Sequence, residues 1–252
     1  MILLLTDFGT RDPYVAAMKG VMAGRTAAAL HDASHDIAPF DVVGAAWFLG
    51  TIAQYWPAGT VFVCVVDPGV GTSRKIVAIE KEGRVYLAPD NGLLTFVLPA
   101  ERMFSVENEA LFLPRGSNTF HGRDRFAPVA AAIANGLRMD ELGPRVDSIV
   151  RLPYEPPSYA PESVRGTIVA IDRFGNAITD IEATRIPFAP FLLRTGELVL
   201  DRLERTYGSA APGPFMIAGS TGCIEISIAN ASAAERLRLR RLQEVELTPS
   251  GG

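Results

Sequence analysis

Two aspartates stand directly behind apolar runs that are typical of buried strands. Asp7 comes after ILLL near the start of the chain, Asp67 comes after VFVCVV, and a glycine-containing turn follows each. Ligands of open α/β sheets bind beyond the carboxyl ends of the strands, so we expect both carboxylates to face one pocket. The alternative is that each aspartate only caps a turn by accepting backbone N–H groups.

The turn after Asp67, PGVGTSRK, supplies positive charge at Arg74 and Lys75. A guanidinium beside Asp67 would keep that carboxylate ionised and oriented toward a water molecule. A purely structural salt bridge would leave the same pattern. The spacing GxxxxGK[ST] is absent, which argues against a loop for nucleoside triphosphates.

His121 lies beside a glycine and a charged run, in SNTFHGRDRFAP. Histidine is suited to moving protons near neutral pH, but this position is also compatible with a structural or surface role. A metal would find ligands in Asp7, Asp12, Asp67 and His121. No HxH, HExxH or DxD spacing supports such a site, so we expect no metal.

The second half of the chain offers groups that suit a purine and a carboxylate. Phe174 and Asn176, in AIDRFGNAITDI, would give a base a face to stack on and an amide edge to pair with. A hairpin whose Phe packs in the core is the alternative. The turn GSTGC could present Ser220 and backbone N–H groups to a carboxylate, or be simply a turn.

Helix and strand signals place the first group of residues on an α/β framework with a mixed, mostly parallel sheet and flanking helices. Asp12 before Pro13 predicts a helix with Asp12 as its N-cap, and Asp41 predicts a second capped helix. The predicted elements are strands Ile2–Leu5 and Val61–Val66, helices from Pro13 to Gly24 and from Asp41 to Pro57, a hairpin of Ile76–Glu80 with Arg84–Leu87, and a helix around Ala130 that ends at Gly136.

A proline-rich segment, PYEPPSYAP, divides the chain, because such a segment is stiff and extended. We expect an α/β domain over residues 1–153, a linker over 154–163 and a small β-barrel-like domain over 164–252. The strands expected in the last part are Thr167–Ile171, Ala177–Ile181, Leu198–Leu200, Phe215–Ala218 and Ile224–Ile228.

Composition excludes several classes of protein. The 252 residues are 48% apolar and 21% charged, with a formal net charge of −4, which fits a globular protein and argues against a nucleic-acid binder. The start of the chain lacks a signal peptide, and no apolar run is long enough to span a membrane. Cys64 and Cys223 show no disulfide or zinc spacing. We therefore expect a cytoplasmic protein.

Seven motifs together resemble one family. TDFGTRDPYVAAMKG, IAPFDVVGAA, VFVCVVDPGVGTSRK, LAPDNGLL, TFHGRDRFAP, IDRFGNAIT and GSTGCIEI occur in the order typical of the S-adenosyl-L-methionine (SAM) hydroxide adenosyltransferases, which are related to fluorinases and chlorinases. The resemblance spans nearly the whole chain. It implies an α/β domain followed by a β-barrel-like domain, no cofactor besides the substrate SAM, and a homotrimer with SAM bound between the N-terminal domain of one subunit and the C-terminal domain of the next.

The resemblance also implies roles for single residues. Asp67, Arg74 and His121 match the group that positions and activates water, whereas halogenases have an aromatic residue in place of Asp67 and a serine in place of Gly122. In the first part of the chain, the resemblance implies that Asp7 contacts the ribose hydroxyls and Asp12 the methionine amino group. Phe40 would form a wall beside the ribose, where halogenases have a tryptophan. In the second part, Ser220 would contact the methionine carboxylate, and Phe174 and Asn176 would contact adenine. This chain departs from the family at Thr221, where the fluorinases have a carboxylate-binding arginine, and at Asp180, where asparagine is commoner.

The implied reaction is in-line attack of water on the ribose 5′ carbon of SAM, which yields adenosine and methionine without a metal. A good sulfonium leaving group means that the protein need only orient and partly deprotonate one water. Either Asp67 or His121 could take the proton. The alternatives are a SAM or adenosine sensor with little turnover, a halogenase-like substitution, and a metal-dependent phosphoesterase that uses the strand-end carboxylates.

Overall fold

The computed structural model describes residues 1–250, which form two compact units. The first is Met1–Pro153 and the second starts at Tyr154. The segment that we expected to be a linker contains a short strand, Ser158–Ala160, which pairs at its side with the following strand of the second unit. Proline is tolerated there because the segment does not lie within the main run of strands.

The first unit contains a six-stranded sheet. Its strands are Ile2–Thr6 (β1), Leu30–Ser34 (β2), Val61–Val65 (β3), Ile76–Lys81 (β4), Arg84–Pro89 (β5) and Arg102–Ser105 (β6). In the order β2-β1-β3-β5-β4-β6, the first three pairings are parallel and the last two are antiparallel. The β4–β5 pair is the predicted hairpin. The sheet is thus mixed and mostly parallel, which confirms the predicted class.

Helices cover both faces of this sheet, because successive residues of a buried strand point to opposite sides. The α-helices of the unit are Tyr14–Ala23 (α1), Val42–Ile52 (α2) and Ala127–Ala134 (α3). Leu4 packs in the cluster that contains side chains of α1 and α3, whereas Leu5 packs in the cluster that contains side chains of α2. The central strands are therefore apolar without interruption, as ILLL and VFVCVV suggested.

The two predicted helix caps have different outcomes. Asp41 does cap α2, since its Oδ1 accepts a hydrogen bond from the backbone N–H of Gly44 at 2.9 Å. The prediction for Asp12 is wrong, because Pro13 occupies the N-cap position of α1 and no side chain caps the helix. Pro13 has ψ near 0° instead of a helical value, so the helix starts one residue later than predicted and leaves Asp12 outside it.

The second unit is built on one nine-stranded, largely antiparallel sheet. Its strands are Ser158–Ala160 (β7), Ser163–Ile171 (β8), Ala177–Glu182 (β9), Phe191–Thr195 (β10), Leu198–Leu200 (β11), Leu203–Glu204 (β12), Pro214–Ala218 (β13), Cys223–Ile228 (β14) and Glu244–Pro249 (β15). The main order is β11-β10-β15-β8-β9-β14-β13-β12, and β7 pairs with β8. Strands β11 and β13, near opposite ends of this order, contact each other, so the sheet curls into a half-barrel, as predicted.

Short helical segments complete the two units. A five-residue α-helix, Ala233–Leu237 (α4), is capped by Ser232, and 3₁₀ turns lie at Ala53–Tyr55, Thr95–Val97, Glu109–Leu111, Met139–Glu141, Ala183–Arg185 and Tyr207–Ser209. None of the helices that the structure describes is long and apolar enough to cross a membrane.

Candidate active site

Asp67 and Arg74 form an ion pair at the carboxyl end of β3. The guanidinium Nη1 donates to Oδ1 of Asp67, and the Asp67 side chain is only 8% exposed. The intervening loop folds back on itself because Thr72 donates its hydroxyl to the carbonyl of Gly69 at 2.7 Å. This turn returns Arg74 to the carboxylate seven residues before it, as the spacing suggested.

The ion pair depends on the missing side chain of Gly69. A Cβ at this position would lie 1.4 Å from Nη2 of Arg74, so the guanidinium occupies the space that any other residue would fill. The backbone N–H of Gly69 also donates to Oδ1 of Asp67 at 3.2 Å. Gly69 thus contributes room for the cation as well as a donor for the anion.

His121 and Gly122 stand at the start of a π-helical segment, Gly122–Phe126, that leads into α3. Widened turns of this kind are frequent at functional sites. Asp124, within the segment, accepts a hydrogen bond from the backbone N–H of Ser117 at 2.6 Å and forms an ion pair with Arg123. These contacts fix the loop that precedes His121.

A cavity of about 230 Å³ brings Asp67, His121 and Gly122 together. It is lined by these three residues and by Phe8, Tyr14, Val65, Val70, Thr119 and Phe120. The aromatic rings of Phe8, Tyr14 and Phe120 contact one another at centroid distances of 5.1 to 6.0 Å. The cavity therefore combines a carboxylate and an imidazole with largely apolar walls.

Gly122 leaves space for this aromatic wall. An added Cβ would lie 3.0 Å from Sδ of Met18 and 3.2 Å from a ring carbon of both Phe8 and Phe120. Such contacts are tighter than a Cβ normally makes, so a side chain here would push against the cavity wall.

The surroundings of His121 favour its neutral form. Burial lowers the pKa of His121 below its ordinary value, the positive charge of Arg125 lowers it further, and the carboxylates of Asp67 and Asp124 oppose the shift. A neutral imidazole retains a lone pair that can accept a proton.

Four predicted site residues of the first unit do not line this cavity: Arg74, which contacts the lining residue Asp67, and Asp7, Asp12 and Phe40. Asp7 follows β1, which pairs with β3 so that Thr6 is level with Val65. Oδ2 of Asp7 accepts a hydrogen bond from the backbone N–H of Phe40 at 2.8 Å. Phe40 is exposed and adopts a left-handed conformation, with φ of 68°. Asp12 is exposed before α1. The two strands that precede Asp7 and Asp67 end at the same edge of the sheet, but the expectation that both carboxylates face one pocket is not met, because only Asp67 lines this cavity.

The three predicted residues of the second unit line one cavity of about 1020 Å³. These are Phe174, Asn176 and Ser220. Phe174 is 77% exposed, so the alternative in which this ring packs in the core is wrong. Asp172 orients the motif, since it accepts hydrogen bonds from the backbone N–H of Phe174 at 2.9 Å and from Nδ2 of Asn176 at 2.9 Å.

The sequence analysis missed a buried carboxylate in this second cavity. Glu225 is 4% exposed and accepts a hydrogen bond from the hydroxyl of Tyr207 at 2.6 Å. Burial raises the pKa of Glu225, and the Tyr207 hydrogen bond opposes the rise. The sequence signal for Glu225 was a single charged residue inside the otherwise uncharged strand CIEISI. Among the described residues that line this cavity, none is lysine or arginine.

Metal-ligand geometry gives no support to the phosphoesterase alternative. Within residues 1–250, no three side chains of His, Cys, Asp or Glu come together in a group that could hold a metal ion. Asp67 is instead paired with Arg74, a cation that would compete with a metal for the same oxygens.

Comparisons with known proteins agree with this geometry. Family models described as the N-terminal and C-terminal domains of SAM hydroxide adenosyltransferase match residues 2–143 and 166–246. The (R)-S-adenosyl-L-methionine hydrolase of Thermus thermophilus is 40% identical, with 98% of both chains covered, and a protein of the same name from Methanocaldococcus jannaschii is 33% identical, with 98% of this chain and 95% of that one covered.

More distant proteins extend the comparison. A fluorinase from an Actinoplanes species is 30% identical over 73% of this chain and 72% of its own. A crystal structure of an uncharacterized conserved protein from Thermotoga maritima superposes with a TM-score of 0.90 at 33% identity, covering 98% of this chain and all of that chain. The chain belongs to the SAM hydroxide adenosyltransferase family, which is related to the fluorinases.

Proposed function

We propose that this protein hydrolyses SAM to adenosine and L-methionine through its Asp67, Arg74 and His121 side chains. The observation that carries the proposal is the small cavity in which a carboxylate with its own guanidinium partner meets a buried imidazole. Water attacks the ribose 5′ carbon, the carbon–sulfur bond breaks with its electron pair on sulfur, and one proton is released. No oxidant, reductant or metal is needed for this balance.

His121 accepts the proton and Asp67 orients the water. Arg74 and the backbone N–H of Gly69 both donate to Oδ1 of Asp67, which fixes the carboxylate as a hydrogen-bond acceptor for the water. His121 is neutral near pH 7, because its lowered pKa keeps the imidazole deprotonated. A positioned general base contributes typically ~10²–10⁴-fold to a rate.

The remaining predicted residues bind the substrate. Asp7 binds the ribose hydroxyls beside Phe40, and Asp12 binds the methionine amino group. In the 164–252 domain, Phe174 stacks on adenine, the Asn176 amide pairs with its edge and Ser220 binds the methionine carboxylate. The exposed ring of Phe174 and the Asn176 amide held by Asp172 support these roles. The Thr221 hydroxyl lines the same cavity and replaces the donor that arginine gives fluorinases.

Water, not halide, is the nucleophile. The Asp67 carboxylate lines the cavity where the nucleophile binds, and a negative charge there disfavours a second anion but orients a neutral water. The relatives that match the full chain are named (R)-SAM hydrolases, so we propose the (R) sulfonium epimer as a substrate.

We place the protein in the cytoplasm. Both Cys64 and Cys223 are free and buried, which suits a reducing compartment.

The first test uses ¹⁸O-labelled water with a chelator present. Purified protein is incubated separately with the (R) and (S) epimers of SAM, and products are measured by liquid chromatography and mass spectrometry. We expect adenosine that carries the heavy oxygen at its 5′ position, together with equimolar methionine, from the (R) epimer. Binding of SAM without turnover would favour the sensor, and loss of activity with EDTA would contradict the metal-free mechanism.

Gly69→Ala is expected to separate Arg74 from Asp67 without unfolding the protein. Gly69 has an ordinary backbone conformation, and the group in the way is the flexible end of an arginine side chain. Misplacing the pair should lower kcat about 10- to 100-fold, as Arg74→Ala should. The kcat of the double variant should be no lower than that of Arg74→Ala, because both changes remove the same interaction. Gly20→Ala is the matched control, since nothing lies within 4 Å of its added Cβ. Normal kcat in Gly69→Ala would contradict the role of the pair.

The dependence of kcat/KM on pH should show His121 as the base. Activity should fall on the acid side only below the ordinary histidine pKa, because the pKa of His121 is lowered and the imidazole must be deprotonated to accept a proton. Arg125→Gln removes a charge that lowers this pKa, so its acid limb should move to higher pH. Arg125→Lys retains the charge and should leave the limb in place. An unmoved limb in Arg125→Gln would assign the proton to another group.

The residues of the two domains meet, in our proposal, between neighbouring subunits of a homotrimer. Asp67→Asn and Asn176→Ala are each expected to be nearly inactive as pure proteins. The whole pool of trimers made by equal co-expression should recover roughly a quarter of wild-type activity, because one subunit interface in four then combines two intact halves. Sedimentation gives the oligomeric state. If sedimentation shows trimers that contain both variants but activity does not recover, each site is formed within one chain.

A further inference from the structure

The turn after β1 carries Asp7 and Phe8 and is hydrogen-bonded to His35. The backbone N–H of Phe8 donates to Oγ1 of Thr6 at 3.1 Å, and this oxygen lies 2.8 Å from Nδ1 of His35. On the other side, the backbone N–H of Gly9 donates to the carbonyl of His35 at 2.8 Å. His35 therefore holds the turn both before and after Phe8.

His35 also connects the turn to Asp32. Nε2 of His35 lies 2.9 Å from Oδ1 of Asp32, whose other oxygen accepts from Nζ of Lys19 at 2.5 Å. The Thr6 oxygen accepts from the backbone N–H of Phe8 whichever ring nitrogen of His35 carries a hydrogen. Burial would raise the pKa of Asp32, but the Lys19 and His35 hydrogen bonds outweigh it and lower this pKa, which keeps the carboxylate ionised.

Strand pairing and burial make this arrangement rigid. The pairing of β1 with β2 shifts between Leu4 and Leu5, so Leu5 is level with Ser34, and Thr6 and His35 are the next residues of the two segments. Thr6 is fully buried and His35 is 6% exposed. Water cannot replace the hydrogen bonds between them, so their loss would leave polar groups without partners.

We propose that His35, acting through the Thr6 hydroxyl, is a positioning residue for SAM. It sets the turn that places the Asp7 carboxylate against the ribose and the Phe8 ring in the wall of the Asp67–His121 cavity. This inference rests on the proposed function of Asp7 and of that cavity. It assigns no chemical step to His35, which is not among the residues that line either cavity.

Thr6→Val tests the network because valine keeps the shape of threonine and removes its hydroxyl. The KM for SAM should rise about 10-fold, the loss expected from one buried hydrogen-bonded link, whereas kcat should change less than about 3-fold because Asp67, Arg74 and His121 lie on other elements. Thr6→Ser keeps the hydroxyl and should restore KM. His35→Asn, which retains a polar atom near the Nδ1 position, should have a lower KM than His35→Ala.

Thr60→Val is the matched control. Thr60 is also fully buried, and its hydroxyl donates to the carbonyl of Pro57 at 2.7 Å, just before the start of β3 and away from the cavity. We expect it to lower the melting temperature as Thr6→Val does and to leave KM unchanged. Equal KM in Thr6→Val and wild type, or equal increases in Thr6→Val and Thr60→Val, would overturn the inference.

Calorimetric binding of adenosine keeps this test separate from the proposed reaction. A wild-type protein that binds adenosine but does not cleave SAM would refute the hydrolase. The positioning role would then be decided by affinity alone, with weaker adenosine binding in Thr6→Val than in Thr60→Val supporting it and equal binding contradicting it.

Discussion

Burying an ionised carboxylate in an apolar cavity is costly unless a cation or several donors accompany it, and the first unit is organised around this requirement at Asp67. The loop after β3 closes so that Arg74 returns to the carboxylate, and Gly69 leaves the space that the guanidinium fills. The parallel sheet sets the position of the pair, because β3 ends level with β1. His121 reaches the same cavity from another segment, so the groups that we propose act on the water come from independent elements that the core must hold in register.

The sequence predicted the elements with strong patterns and failed where tertiary contacts decide. Uninterrupted apolar runs identified β1 and β3, and therefore the edge at which Asp7 and Asp67 emerge. Strand β2 was missed because LHDAS is polar and only partly buried, so it has neither an apolar run nor a clear alternation. Asp12 was assigned as a cap because aspartate before proline is a common helix start, yet Pro13 took that position. The role of Gly69 had no sequence signal, since it depends on the path of one arginine side chain.

The two cavities share an electrostatic character that suits the reaction. SAM carries a sulfonium and an ammonium against one carboxylate, whereas adenosine is neutral and methionine is a zwitterion. The first cavity presents Asp67, and the second presents Asp172 and Glu225 with no basic side chain among its described lining residues. In the proposed function, these carboxylates favour the cationic substrate over either product. The charge lost in the proposed reaction would then weaken binding when the products must leave.

Gly122 has a consequence for how this family diversified. The family resemblance implies a serine at this position in the halogenases, but here any Cβ would press on Met18, Phe8 and Phe120 at once. A serine cannot simply be added to this background, because Phe8 and Phe120, which line the cavity, and Met18, which packs in the core, would have to move with it. If this cavity binds the nucleophile, as we propose, a change from water to halide would require a coupled set of substitutions. The aromatic wall would have to adapt before or together with position 122.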